Sequence, residues 1–284
     1  MAVKHIIQPK MEKEAIAYVN GIAYSVIPHW FGATARNLKM DLLLPKYWAD
    51  KQEKRPVIVW ICGGSFKEMD RSVWLPDLMP LAQMGYAIAS IEYRTSNETS
   101  FPDPLIDVKT AIRFLKANAD RFGLDRERIC VMGESAGAIL ASLAGVTAGL
   151  AEFESGEYAS WDSGVKAVVA FYGKYDFSLE DNRSMDPRYV PSWTNQAFLG
   201  SAYPNGDRAS SIRYLNQDTP PFLLLHGDGD ELVACEQSEV MHEAMVSRGL
   251  DCTLYIIAGA GHGEPVFYQP EVMDVIDQFL RRVL

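Results

Sequence analysis

The stretch ICVMGESAGAIL, Ile129 to Leu140, decides the fold. Four apolar residues, Ile129-Cys130-Val131-Met132, stop at Gly133. Glu134, Ser135, Ala136 and Gly137 follow, and then comes a small-residue, helix-compatible run. The pattern predicts a buried strand that turns sharply into a helix, with a serine on the turn. Glycines on either side of the serine let neighbouring elements approach without a Cβ in the way.

Outward from this turn the chain alternates. Upstream, "PVIVWIC" (Pro56–Cys62) and "YAIASIEY" (Tyr86–Tyr93) read as buried strands. "LPDLMPLAQMG" and "DVKTAIRFLKANADRFG" read as helices that end at Gly85 and Gly123. The second helix predicts one apolar face of Val108, Ala111, Ile112 and Leu115. Downstream, "VKAVVAFYG", "PFLLLHG" and "CTLYIIAG" are three more strands. A helix near Cys235–Arg248 separates the last two, and "PEVMDVIDQFLRRVL" closes the chain as an amphipathic helix. Strands alternating with helices imply a mainly parallel sheet covered on both faces. No repeat or linker divides the chain, so residues 1–284 are expected to form a single domain. Residues 1–55 would add antiparallel strands. Residues 174–220, rich in Asp, Asn, Ser, Pro and aromatics, are expected to form a cap over the C-terminal edge of the sheet.

Composition narrows the function class. The chain has 284 residues, 48% of them hydrophobic, enough for a large core, and its formal net charge of −10 argues against nucleic-acid or anionic-membrane partners. The four cysteines, at 62, 130, 235 and 252, form no CxxC pair and fit no zinc spacing, so buried reduced thiols and no metal are expected. Residues 1–10 lack an apolar leader core, and no apolar run is long enough to span a bilayer. A cytoplasmic location is therefore expected.

A serine on a strand-to-helix turn is a candidate nucleophile, but its hydroxyl needs a base. Of the five histidines, His262 in "AGAGHGEP" follows the last strand on a glycine-rich loop and is the first choice. His226 in "LLLHG" reads as a structural partner at a strand tip, and His242 sits within a helix. The imidazole in turn needs an acid to set its tautomer. "HGDGDELV" offers Asp230, with Asp228 as its competitor. The oxyanion formed on attack needs N–H donors. Ala136 opens a helix, and Gly64 and Ser65 in "WICGGSF" follow an early strand. Phe66, Trp161 and Trp193 are candidate substrate-binding residues, with Trp74 and Tyr93 as further wall candidates.

These motifs, together with "LKMDLLLP", "SIEYR" and "FPDPLIDVKTAIRFLKANADRFGLDRERI", resemble the α/β-hydrolase superfamily. The resemblance is to its hormone-sensitive-lipase-like carboxylesterases and most of all to bacterial acetylxylan and feruloyl esterase-type enzymes of the bifunctional-esterase group. It runs from about residue 38 to the C-terminus and implies the α/β-hydrolase fold with a cap. It also implies a serine–acid–histidine triad without metal or cofactor, and a small-molecule or oligosaccharide ester as substrate, such as acetylated xylan. Feruloyl esterase, arylformamidase and a non-catalytic ligand-binding protein are the alternatives. One departure stands out: the family usually carries His-Gly-Gly at the oxyanion loop, and here Cys62 takes the place of a histidine that would brace it.

Overall fold

The computed structural model describes residues 3–46, 53–179, 193–202 and 206–284. Among them eight strands form one sheet in the order β1-β2-β4-β3-β5-β6-β7-β8. The long hairpin of β1 (Ile16–His29) and β2 (Thr34–Pro45) is antiparallel and joins β4 (Ala87–Ile91) antiparallel. From β4 onward all pairings are parallel: β3 (Arg55–Ile61), β5 (Leu124–Glu134), β6 (Ala167–Phe171), β7 (Phe222–Gly227) and β8 (Cys252–Ile257).

Each face of the sheet holds its own apolar layer, because successive strand residues point to opposite sides. Val57, Val59 and Ile61 face helices α2 (Asp103–Ala117), α4 (Ala136–Val146) and α6 (Glu236–Val246). Ile58, Trp60 and Cys62 face α1 (Leu75–Gln83) and α7 (Pro270–Val283). Burial on both faces is why the central strands read as unbroken apolar runs. Short elements, α3 (Ala119–Phe122) and α5 (Trp193–Leu199), complete the helices.

Helix α2 departs from its expected one-sided burial. Lys109 and Arg113, off the apolar face, are also fully enclosed. Residues 147–164 wrap over them. Lys109 Nζ donates to Thr147 O at 2.6 Å and to Glu154 Oε1 at 2.8 Å, and Arg113 donates to Glu154 Oε2 at 2.8 Å and Ser155 O at 2.6 Å. A buried cation is tolerable when paired and hydrogen-bonded in this way. The partners lie some forty residues downstream, so the helix sequence alone carried no sign of them.

The turn between β5 and α4 is packed to the limit. A Cβ on Gly137 would lie 1.9 Å from the Ile61 carbonyl oxygen, a backbone atom that cannot move aside cheaply. We expect Gly137→Ala to lower stability by about 3 kcal/mol and the melting temperature by roughly 5–10 °C, measurable by calorimetry. An unchanged melting temperature would contradict this packing.

Candidate active site

Parallel strands deliver their following loops to one edge of the sheet, where ligands of open α/β sheets bind. Gly63–Ser65 follow β3, Ser135 follows β5, Tyr172 follows β6, Asp230 follows β7 and His262 follows β8. Residues up to 200 positions apart in the chain are thereby brought together.

Ser135 holds φ 53° and ψ −120°, a strained conformation for a residue with a side chain. The turn is pinned by Ser135 N donating to Phe171 O at 3.0 Å, and by Ala138 N and Ile139 N donating back to Ser135 O. Its Oγ lies 2.8 Å from His262 Nε2, and His262 Nδ1 lies 2.7 Å from Asp230 Oδ2. A carboxylate only accepts, so His262 carries its proton on Nδ1. Its bare Nε2 faces the serine hydroxyl.

Asp230 is held on every side. Its Oδ1 accepts from Leu232 N and Val233 N, both at 2.8 Å. Oδ2 lies 3.3 Å from His226 Nε2 as well as beside His262. Burial by itself would raise the Asp230 carboxyl, but hydrogen bonds from His226 and His262 hold it well below the usual carboxylate range. His226 is therefore a partner of the acid, not a rival base. Its Nε2 donates to Val233 O at 3.0 Å while Nδ1 accepts from Ser238 at 2.7 Å. Asp228, the competitor acid, instead accepts from Gly259 N at 2.5 Å and ties down the loop that carries His262.

Above Ser135 opens a cavity of about 840 Å³, lined by Phe66, Met69, Val73, Trp74, Ile139, Phe177, Leu232 and Val233, with Lys67, Glu68, Asp70, Thr95, Lys174 and Asn195 as polar members. The predicted donors Gly64, Ser65 and Ala136 line it too. Gly64 and Ser65 N–H donate to no acceptor among the described residues, and Ala136 N–H, at the first turn of α4, has no intrahelical partner. Gly64 sits at φ 116°, and a Cβ there would fall 2.0 Å from Glu68 O, which restricts the position to glycine.

The wall candidates divide. Phe66 lines the cavity and stacks on Phe198 with ring centroids 3.7 Å apart, and Trp74 lines it as well. Trp161 does not line it. Its ring stacks on the Arg126 guanidinium near the start of β5, the end of that strand opposite Ser135, because residues 147–164 cover α2 rather than the site. Tyr93 is fully buried and donates to Cys62 O at 2.9 Å, so it supports the loop and does not face substrate. The side chain of Trp193, together with residues 180–192 and 203–205 of the 174–220 segment, lies outside the described residues. Cys62 is buried, and its thiol is pushed up to about 12 by burial and then by the nearby Glu134 charge, which leaves no thiolate to act as a nucleophile.

Sequence reasoning assigned no role to Glu134 or to Tyr172. Glu134 is buried and accepts from Gly63 N, and its carboxyl is raised by burial despite the hydrogen bonds that favour its charge. Tyr172 follows β6 and packs edge-on against the His262 ring at 4.6 Å. The "FYG" that ends β6 was the available signal, but which ring it would touch depends on how two distant loops meet.

Residues 40–245 match the BD-FAE family. The chain belongs to that family. Its similarity to the esterase LipC of Mycobacterium tuberculosis is 33% identity, covering 73% of this chain and 53% of LipC. This BD-FAE chain spans about half the length of the curated mycobacterial relatives it matches. Among solved structures, a truncated carbohydrate esterase from gut microbiota is similar at 26% identity with a TM-score of 0.79, covering 96% of this chain and 98% of that one. A bifunctional GH43-CE protein of Bacteroides eggerthii is similar at 28% identity with a TM-score of 0.77, over 93% of this chain and 38% of that one. The BD-FAE chain has the α/β-hydrolase fold of these esterases. Among its described residues no helix is long and apolar enough to cross a membrane.

Proposed function

We propose that this chain is a serine carboxylic-ester hydrolase. The observation that carries the reading is the continuous line from Ser135 Oγ through the His262 imidazole to the buried Asp230 carboxylate, opening into the cavity. Ser135 attacks the ester carbonyl while His262 Nε2 takes its proton, and Asp230 stabilises the imidazolium. The N–H groups of Gly64, Ser65 and Ala136 receive the oxyanion. His262 then returns the proton to the departing alcohol, and water releases the acyl group by the same steps in reverse roles. The naming of LipC and other relatives as esterases supports this reading.

For the substrate we favour short acyl esters on a carbohydrate, acetylated xylan or xylo-oligosaccharides. Support comes from the similarity to a carbohydrate esterase and to a GH43-CE protein. A cavity of about 840 Å³ far exceeds an acetyl group, leaving room for a bulky alcohol, and its polar members could meet sugar hydroxyls.

The test is a side-by-side comparison of acetylated xylan, p-nitrophenyl acetate, a feruloylated oligosaccharide and formylkynurenine. We expect acetate release from the first two at rates at least tenfold above the others. Turnover of formylkynurenine alone would overturn the ester reading, and preference for the feruloyl ester would overturn the acyl choice. A fluorophosphonate probe that failed to label Ser135 would support a non-catalytic ligand-binding protein.

A further inference from the structure

We propose that Glu134 is a positioning residue that clamps the oxyanion loop, a task for which the loop carries no side chain of its own. The peptide unit between Cys62 and Gly63 is gripped from both sides. Its carbonyl accepts from the Tyr93 hydroxyl at 2.9 Å, and its N–H donates to Glu134 Oε1. Two hydrogen bonds of opposite sense on one peptide plane leave it no freedom to rotate. The next two amides, Gly64 and Ser65, are then aimed by that plane and by their own φ values of 116° and 54°. Neither of these amides, nor that of Phe66, donates to an acceptor among the described residues.

The contact is built for close approach. A Cβ on Gly63 would lie 2.5 Å from Glu134 Oε1, so the position admits only glycine while the carboxylate is in place. Glu134 is 6% exposed, and the nearby Trp74 indole and Tyr172 hydroxyl favour its charged form. Trp74 forms a wall of the cavity, and Tyr172 packs against His262. The Gly63 N–H donated to it and the polar hydrogens of Trp74 and Tyr172 close by suit a group that only accepts, which is a carboxylate. Glu134 and Tyr93 together therefore replace the brace that a histidine at position 62 would supply. An anchor next to the nucleophile ties the loop to Ser135 itself.

The catalytic consequence rests on the ester-hydrolase reading, so the test has two independent readouts. One is kcat and KM on p-nitrophenyl acetate for Glu134→Gln, Glu134→Ala, Tyr93→Phe and the Glu134→Gln/Tyr93→Phe double variant. The other is amide hydrogen exchange over residues 62–66. For Glu134→Gln we expect kcat to fall about tenfold with KM within about twofold, because the glutamine oxygen can still accept from Gly63 N but without the carboxylate's charge to strengthen the bond. Glu134→Ala should fall about a hundredfold and exchange at Gly63 about tenfold faster. The double variant should lose less than the product of the single losses, since both changes release one peptide plane. Should Glu134→Ala fail to fold, Glu134→Gln and Tyr93→Phe decide the matter.

Full kcat in folded Glu134→Gln and Tyr93→Phe, or strict multiplicativity of their losses, would overturn the clamp. So would unchanged exchange over 62–66 in a folded Glu134→Ala protein. A wild-type chain that hydrolyses no ester would sink the function reading instead, with the exchange data still deciding whether Glu134 holds the loop.

Discussion

Ser135→Ala is expected to reduce ester hydrolysis by at least about 10⁴-fold, towards the 10⁶-fold loss seen when a hydrolase nucleophile is removed. The reason is geometric. Ser135 Oγ is the hydroxyl within 2.8 Å of His262 Nε2, and the thiol of Cys62 at the same cavity is buried and uncharged near neutrality. The substitution should leave the fold intact. Alanine meets the same backbone strain at φ 53° as serine does, and the bonds that pin the turn use Ser135 backbone atoms, not its side chain. The measurement is hydrolysis of p-nitrophenyl acetate alongside thermal denaturation. Residual activity within a hundredfold of wild type, in a protein with an unchanged melting temperature, would remove Ser135 from the role proposed for it.

Asp230→Asn should cost about 10³- to 10⁴-fold in kcat while Ser135 and His262 stay in place. Leu232 N and Val233 N both donate to Asp230 Oδ1 at 2.8 Å, so an asparagine must turn its carbonyl oxygen towards them. Its NH₂ then faces His262 Nδ1, which must become an acceptor. The imidazole proton moves to Nε2, where it points at the serine and blocks proton removal. The same substitution should flatten the acid side of the stability curve. The Asp230 carboxyl is depressed in the folded state, so it contributes stability above its unfolded value of about 3.9 and loses it as pH falls towards the folded value. Melting temperatures compared at neutral pH and around pH 3 should therefore show a smaller acid-induced drop in Asp230→Asn than in wild type. Equal drops would mean that the two histidines do not hold this carboxylate as described.

Much of the site was legible in the chain because its members mark their own positions. Ser135 sits between glycines on a strand-to-helix turn, Asp230 follows a strand that ends in Gly227, and His262 follows the last strand on a glycine-rich loop. A parallel sheet sends all such loops to one edge, so alternation of strands and helices was enough to predict that the three would gather. The walls were not legible in the same way. Trp161 and Trp74 are both tryptophans in irregular segments, yet one stacks on Arg126 far from the cavity and the other lines it. Local composition does not say which way a loop folds back.

The periodicity of the apolar residues determined by itself a sheet buried on both faces, since strand and helix repeats follow from backbone geometry and need no knowledge of distant partners. Tertiary packing alone decided the partners of polar groups. Lys109 and Arg113 became interior residues because Glu154 reaches them, His226 came to lie 3.3 Å from the Asp230 carboxylate, and Glu134 turned inward to the Gly63 amide. A buried charge or amide must find its complement wherever the fold supplies one, and that complement lies far along the chain.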